Sequence, residues 1–291
     1  MDRRNFLRSL MILPAAGYTM KLQALQKIAG AFDNTGRMPV LFLGHGSPMN
    51  AIELNEFSMG WRSIGKTLPA PKAVLCISAH WETRGTFVTA MERPRTIHDF
   101  GGFPQELYDV QYPAPGSPSL AGSIRDQVND TEIGLDDSWG LDHGAWSVIK
   151  HLYPEANIPV IQLSLDYSQP PQHHYKLAGE LASLRDKGVL IVGSGNIVHN
   201  LRTINWNNPE GGYDWAIETD AKVRKLIDDR DHQSLIDYKK AGRAFEQSIP
   251  TPEHFLPLLY ILGLQGKNEE ASFYNCKTIM GSISMTSVKI G

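Results

Sequence analysis

Four apolar runs, almost unbroken by charged side chains, constrain this chain most. They lie at 39–44 ("PVLFLG"), 73–79 ("AVLCISA"), 159–165 ("PVIQLSL") and 189–194 ("VLIVGS"). A strand with one wet face alternates apolar and polar residues. A near-continuous run of this length is a strand covered on both faces, as in a parallel sheet between helices. A further strand is expected at 86–91, and a last one at 282–290, where "SISMTSVKI" alternates small polar and apolar residues. Helical patterns lie at 117–129, 143–153, 171–187, 214–230, 232–241 and 252–263. Strands alternating with helices predict an α/β domain: a central mixed, mostly parallel sheet flanked by helices on both faces. The 291 residues could make two domains, at about 150 residues each. No repeat, low-complexity segment or domain boundary divides them, so one domain is expected. "GGFPQELYDVQYPAPGSP" (101–118) reads as an ordered loop over a site. "NWNNPEGGY" (205–213) reads as a surface loop.

The net charge of −3 and the lack of a basic block offer nucleic acid no electrostatic partner. Cys76, inside an apolar run, reads as a buried thiol, and its distance from Cys276 gives neither a disulfide framework nor a cysteine metal site. The N-terminal "MDRRNFLRSLMILPAAGYTM" is different. Arg3, Arg4, Phe6 and Leu7 followed by a short apolar stretch resemble a twin-arginine export signal. The apolar part falls short of the roughly 20 residues of a membrane span. Residues 1–36 are therefore read as a signal peptide or N-terminal extension and 37–291 as the folded domain that carries the function. The expected location is periplasmic if the signal is used and cytoplasmic if it is not.

The histidines fall at informative places. His45 ("VLFLGHGSP"), His80 ("SAHWET") and His199 ("GSGNIVHN") each follow a predicted strand. Ligands of open α/β sheets bind just beyond the carboxyl ends of the strands. His254, in "TPEHFLPLLY", is expected in the first turn of a helix capped by Thr251 with Pro252 at its first position. Singly, each is as well read as a hydrogen-bonded surface or core residue. Jointly, strand-end imidazoles on one sheet edge point to a shared divalent metal, for which Zn, Fe, Cu and Ni all suit imidazole. His98 ("TIHDFGGFP") and His143 ("GLDHGAW") sit in glycine- and aromatic-rich settings that could line a pocket. His151, His173, His174 and His232 lie in polar helical surroundings and read as solvated. Ser194 is a poor nucleophile elbow, because Gly-x-Ser-x-Gly would require glycine where Asn196 stands.

"PVLFLGHGSPMN", the long block from "SAHWETRG" to "YPAPGSP", "GLDHGAWSVIKHLYP", "GSGNIVHNLR" and "TPEHFLPLLY" closely resemble, in the same order, the LigB-type extradiol aromatic-ring-opening dioxygenases. The match is to the 4,5-DOPA dioxygenase-like subgroup and covers residues 38–291. The resemblance implies a mixed sheet flanked by helices, and His45, His80 and His254 as ligands of one divalent metal ion. It implies His199 as general acid/base beside the metal, counted with the ligands when substrate is absent. His143 is implied as a pocket residue taking part in catalysis and substrate binding. His98 and Phe103, on the loop 97–116, are candidates to contact the substrate ring and exclude water. Protocatechuate-cleaving relatives use a carboxylate as third ligand. Here the matching residue is His254, and the adjacent Glu253 would point about 100° away on a helix. A three-imidazole set leaves Fe(II) and Zn(II) both open. The implied partners are a small aromatic diol and O₂. A zinc hydrolase or lyase using the same histidines, and a non-enzymatic metal-binding protein, remain as alternatives, and oligomeric state is not legible.

Overall fold

In the computed structural model, which describes residues 36–291, the unbroken apolar runs form the middle of one eight-stranded sheet. In chain order the strands are β1 (Val40–Gly44), β2 (Ala73–Thr83), β3 (Thr86–Thr89), β4 (Ile133–Asp136), β5 (Val160–Asp166), β6 (Val189–Gly195), β7 (Ala271–Tyr274), β8 (Thr278–Ile279), β9 (Ile283–Ser284) and β10 (Ser287–Ile290). The sheet order is β4-β3-β5-β2-β6-β1-β10-β7, with β8 and β9 forming a separate two-stranded ribbon. The central four, β5-β2-β6-β1, are parallel. β10 and β7 add an antiparallel edge on one side. On the other, β3 runs antiparallel to β5 and parallel to β4. The domain is thus the expected α/β architecture with a mixed, mostly parallel sheet.

Successive residues of the central strands feed two cores. Val40, Phe42, Leu75, Ile77, Val189 and Ile191 pack against α2 (Pro118–Gln127), α4 (Pro171–Glu180), α6 (Asp214–Asp228) and α9 (Leu256–Gly263). Leu41, Leu43, Val74, Cys76, Leu190 and Val192 face α1 (Glu56–Thr67) and α3 (His143–Leu152). That two-sided burial is why the runs carry no charge. α5 (Ser183–Asp186), α7 (His232–Ile236) and α8 (Arg243–Ser248) complete the helices named here. Among the described residues no helix is long and apolar enough to cross a membrane. The signal-like segment assigned to 1–36 lies outside the described residues, save its last position.

Several boundaries differ from the sequence reading, each for a local reason. The predicted helix 171–187 breaks after Glu180, where Leu181 and Ala182 donate to Ala178 and Gly179 in tight three-residue turns. The last strand, expected over 282–290, splits into β9 and β10. Ser284 is held from outside the sheet, its N–H donating to the Val198 carbonyl and its carbonyl accepting from Asn196 Nδ2. The helix expected over 252–263 starts only at Leu256, so His254 stands in a preceding turn. Pro257 has no N–H to return to Glu253, and the His254 carbonyl is bonded by the Asn196 N–H at 2.9 Å. His80 lies within β2, not after it, where pairing to β5 shifts register between Ile77 and Glu82.

Candidate metal centre and active site

The sheet order sets β2, β6 and β1 side by side and parallel, so their carboxyl ends share one edge. His45 is the first residue beyond β1, and its N–H extends the β1–β6 ladder by one bond, to the Gly195 carbonyl at 3.1 Å. Gly46 then turns the chain away at φ 59°, a conformation open to glycine. Next along the edge, the irregularity in β2 carries His80, whose N–H donates to Ser78 Oγ. Gly195 closes β6 without a side chain. A Cβ there would stand 2.1 Å from the His254 carbonyl oxygen, so its absence is what lets the 252–255 turn close over the strand end. Beyond it the chain reaches His199, fixed by its N–H to the Ser248 carbonyl at 2.9 Å.

These elements converge. The rings of His45, His80 and His254 form a nearly equilateral triangle, with centroids 5.0, 5.1 and 5.2 Å apart. Their candidate ligand nitrogens all lie within 4.8 Å of one another. His199 stacks flat on His254, centroids 3.5 Å apart and planes 12° apart. His143, the first residue of α3, lies 3.9 Å from His80 centroid to centroid.

The group behind each ring selects which nitrogen faces the centre. Ser194 donates its hydroxyl proton to the Gly144 carbonyl at 2.5 Å, so its oxygen is left to accept from His45 Nδ1 at 3.0 Å. Glu253 Oε1 accepts from His254 Nδ1 at 3.1 Å. Asp99 Oδ2 faces His80 Nδ1 at 3.4 Å. With the proton on each Nδ1, the three Nε2 atoms are lone-pair donors. Two of them, on His45 and His80, stand 3.2 Å apart. Two lone pairs that close repel unless a cation lies between them, and nitrogens bound at 2.0–2.1 Å to one tetrahedral ion are about 3.3 Å apart. The donor set therefore fits a divalent ion, with an outer shell of a carboxylate or hydroxyl behind each imidazole.

The charge states agree. Burial, reinforced by the neighbouring imidazoles, holds His45 and His254 well below the usual histidine range. Burial and His143 bring His80 down to about 3 and His199 to about 4. All four are neutral near pH 7, the form that binds metal. Burial opposes ionisation of Asp99, but its contacts with His143 and then His80 keep it below the ordinary carboxylate range. Behind the cluster, Asp142 caps α3 through the Ala145 N–H. The Asp142 carboxylate also takes bonds from Ser78, Gln162 and Trp139, while burial raises its pKa.

The other residues singled out from sequence fall in two groups. His98 donates Nε2 to the Val110 carbonyl at 3.0 Å and packs against Phe100, Tyr108 and Trp146. Phe103 packs edge-on to Phe100, and Phe100 in turn meets His143 edge-on at 5.5 Å. His98 and Phe103 therefore stand one ring behind His143. His151, His173, His174 and His232 are not solvated. His151 and His174 are buried and the other two half-buried, because the helices that carry them pack inward. His151 donates to the Asn50 carbonyl and accepts from Arg62, and His174 pairs with the Tyr260 hydroxyl. Ser194 is buried and serves His45, not nucleophilic attack. Sequence reasoning missed Asp99 and the use of Glu253 as a partner to His254. The spacing from Asp99 to His80 and His143 carries no signal, because only the tertiary fold brings them together.

A family model described as the catalytic LigB subunit of aromatic ring-opening dioxygenase matches residues 39–286. The chain is 48% identical over 261 residues to "4,5-DOPA dioxygenase extradiol" of Escherichia coli (strain K12), spanning 88% of this chain and 95% of that protein. It is 38% identical over 259 residues to the protein of the same name from Beta vulgaris, spanning 85% and 94%. Among solved structures, an uncharacterized protein from Escherichia coli K12 superposes with a TM-score of 0.77 at 43% identity, covering 88% of this chain and all of that one. With its imidazole cluster at the shared strand edge and these likenesses over nearly the whole described length, the chain belongs to the LigB family and is an extradiol aromatic-ring-opening dioxygenase, a metal-dependent oxidoreductase.

Proposed function

We propose that this enzyme opens the ring of a catechol, a DOPA-like diol in the first instance, at one Fe(II) ion held by His45, His80 and His254. The observation that carries the reading is the set of three imidazoles, each with Nδ1 set against a hydroxyl or carboxylate oxygen, whose candidate ligand nitrogens lie within 4.8 Å of one another. The relatives' names support the substrate class. An Fe(II) ion held by His45, His80 and His254 would supply the redox chemistry that O₂ insertion needs, which zinc cannot.

The chain's own residues do the rest. Ser194, Asp99 and Glu253 hold the three rings so that no reorganisation is needed when the diol binds. His199, neutral and stacked on His254, is placed to take the proton of one diol hydroxyl on its imidazole nitrogen and return it as the ring opens. Its depressed pKa, from burial, keeps it an acceptor at working pH. His143, packed 3.9 Å from His80, offers a second imidazole as a hydrogen-bond partner to the substrate. Phe100, backed by His98 and Phe103, walls that side and excludes water. Both oxygen atoms of O₂ end in the product, so no further reductant enters.

The test is anaerobic loading with Fe(II), followed by oxygen-electrode and absorbance assays on a catechol panel. One O₂ consumed per ring, with a yellow ring-opened product, is expected from the iron form and none from the zinc form. Turnover of the zinc form without O₂ uptake would sink the proposal and favour hydrolytic chemistry.

A further inference from the structure

We propose that Asp99 is a positioning residue for His80 and His143 at once, its single carboxylate fixing which nitrogen the first presents to the metal and the second to the substrate. The inference rests on the ring-opening reading above and extends it to a residue that the sequence reading did not single out.

The carboxylate is held from one end. Oδ1 accepts the backbone N–H of His143 at 2.9 Å, in the first turn of α3, where the helix leaves its N–H groups unpaired. With Oδ1 committed there, Oδ2 is aimed at two imidazoles. It lies 3.0 Å from His143 Nδ1, off the hydrogen-bond direction, and 3.4 Å from His80 Nδ1. His143 Nδ1 is buried without a hydrogen-bond partner, so what this oxygen gives it is electrostatic. A carboxylate oxygen is negative and only accepts, so its field favours the tautomer with the proton on Nδ1 in both rings. His80 is thereby left with an Nε2 lone pair toward His45 and His254, and His143 with an acceptor at Nε2. One side chain thus couples the metal side of the site to the substrate side.

The same atoms admit a competing assignment. His80, Asp99 and His143 offer three ligand atoms within 4.8 Å of one another, enough in number for a second ion. That ion would need His80 Nδ1 stripped of its proton, making the ring a bridge between two metals. The helix N–H on Oδ1 also leaves Asp99 only one oxygen to give. The geometry favours the positioning role.

Asp99→Asn separates the functions. Its amide oxygen can still accept the His143 N–H, while its NH₂ group turns a donor on the two Nδ1 atoms and reverses their preferred protonation. The expected result is a melting temperature within about 2 °C of wild type, Zn(II) affinity lower by roughly 10–100-fold, and an altered Co(II) absorption spectrum. In the iron form kcat falls on the order of 100-fold with KM much less changed. Asp99→Ala, which removes the helix contact too, is expected to lower the melting temperature as well. The proposal is overturned if Asp99→Asn matches wild type in Zn(II) affinity and spectrum, or if its losses only track a fallen melting temperature. It is equally overturned if wild type binds two ions per chain and Asp99→Asn one. Affinity and spectrum require no substrate, so a failure of the catechol reading leaves this test decisive.

Discussion

An imidazole can bind a metal through either nitrogen, and the protein decides which by occupying the other. At this site a neutral hydroxyl and two carboxylates make the choice for three rings. The least conspicuous is Ser194, which sits between the Gly144 carbonyl and His45 Nδ1. Ser194→Ala leaves His45 free to swap tautomers, and zinc affinity is expected to fall by about tenfold or more, the usual effect of losing an outer-shell partner. Isothermal titration on the metal-free protein reads this directly, and an unchanged affinity would mean that His45 is held by something else. His199 is a different case. It stacks on His254, a proposed ligand, and if its task is to move protons, His199→Ala should lower kcat by roughly 10²–10⁴. Metal content, measured by atomic emission, should stay near one ion per chain. A variant that loses its metal in proportion to its activity would make His199 a ligand and not a proton carrier.

Glycine placement governs how elements meet at this edge. The strand end of β6 and the 252–255 turn approach so closely that a methyl group at 195 would stand 2.1 Å from a backbone oxygen, and backbone cannot swing aside as a side chain can. Gly195→Ala is therefore expected to displace the turn bearing His254. Overpacking of this kind lowers stability by about 1–3 kcal/mol, visible as a lower urea midpoint, and metal affinity should fall with it. A variant of normal stability and affinity would show that the turn is not wedged against β6. The same scale shows what sequence can and cannot tell. β1, β2, β5 and β6 were legible because burial on both faces leaves uninterrupted apolar runs, and with them the edge where His45, His80 and His199 emerge. β4 and β7 were not, since each is a four-residue strand with exposed positions and shows no such run. α1 was missed although Asn55 and Ser58 form a reciprocal cap, because its apolar stripe of Phe57, Trp61 and Ile64 is spread thinly among polar residues. His254 was legible as a site residue but not in its setting, which depends on Pro257 and on a bond from Asn196 on another element.

Across the whole molecule, buried neutral imidazoles tie stability to pH. Burial is the leading cause that lowers His45, His80, His199 and His254 at the centre, and also His151, His173, His174 and His232 elsewhere. A histidine lowered by folding takes up its proton in the unfolded chain near pH 6.5 but in the folded one only lower, about 4 for His174 and His199 and about 3 for His80. Between those limits the unfolded state binds more protons. Stability is then fully present above pH 6.5 and falls as pH drops, by at most about 1.4 kcal/mol per pH unit for each such group. The melting temperature of the metal-free protein should accordingly decline from pH 7 toward 4.5. Metal adds stability only through the folded state, about 2.7 kcal/mol when its concentration is a hundred times Kd. Because burial keeps the three ring nitrogens neutral well below the usual histidine range, protons compete with the ion only well below pH 6.5. The zinc-loaded and chelator-treated proteins should thus melt a constant interval apart from pH 8 to 5, both curves sloping together. Solvated histidines would behave otherwise, the interval narrowing from pH 7 downward as ordinary imidazoles protonate, and that narrowing in a buffered melting series would contradict a preformed, desolvated three-imidazole centre.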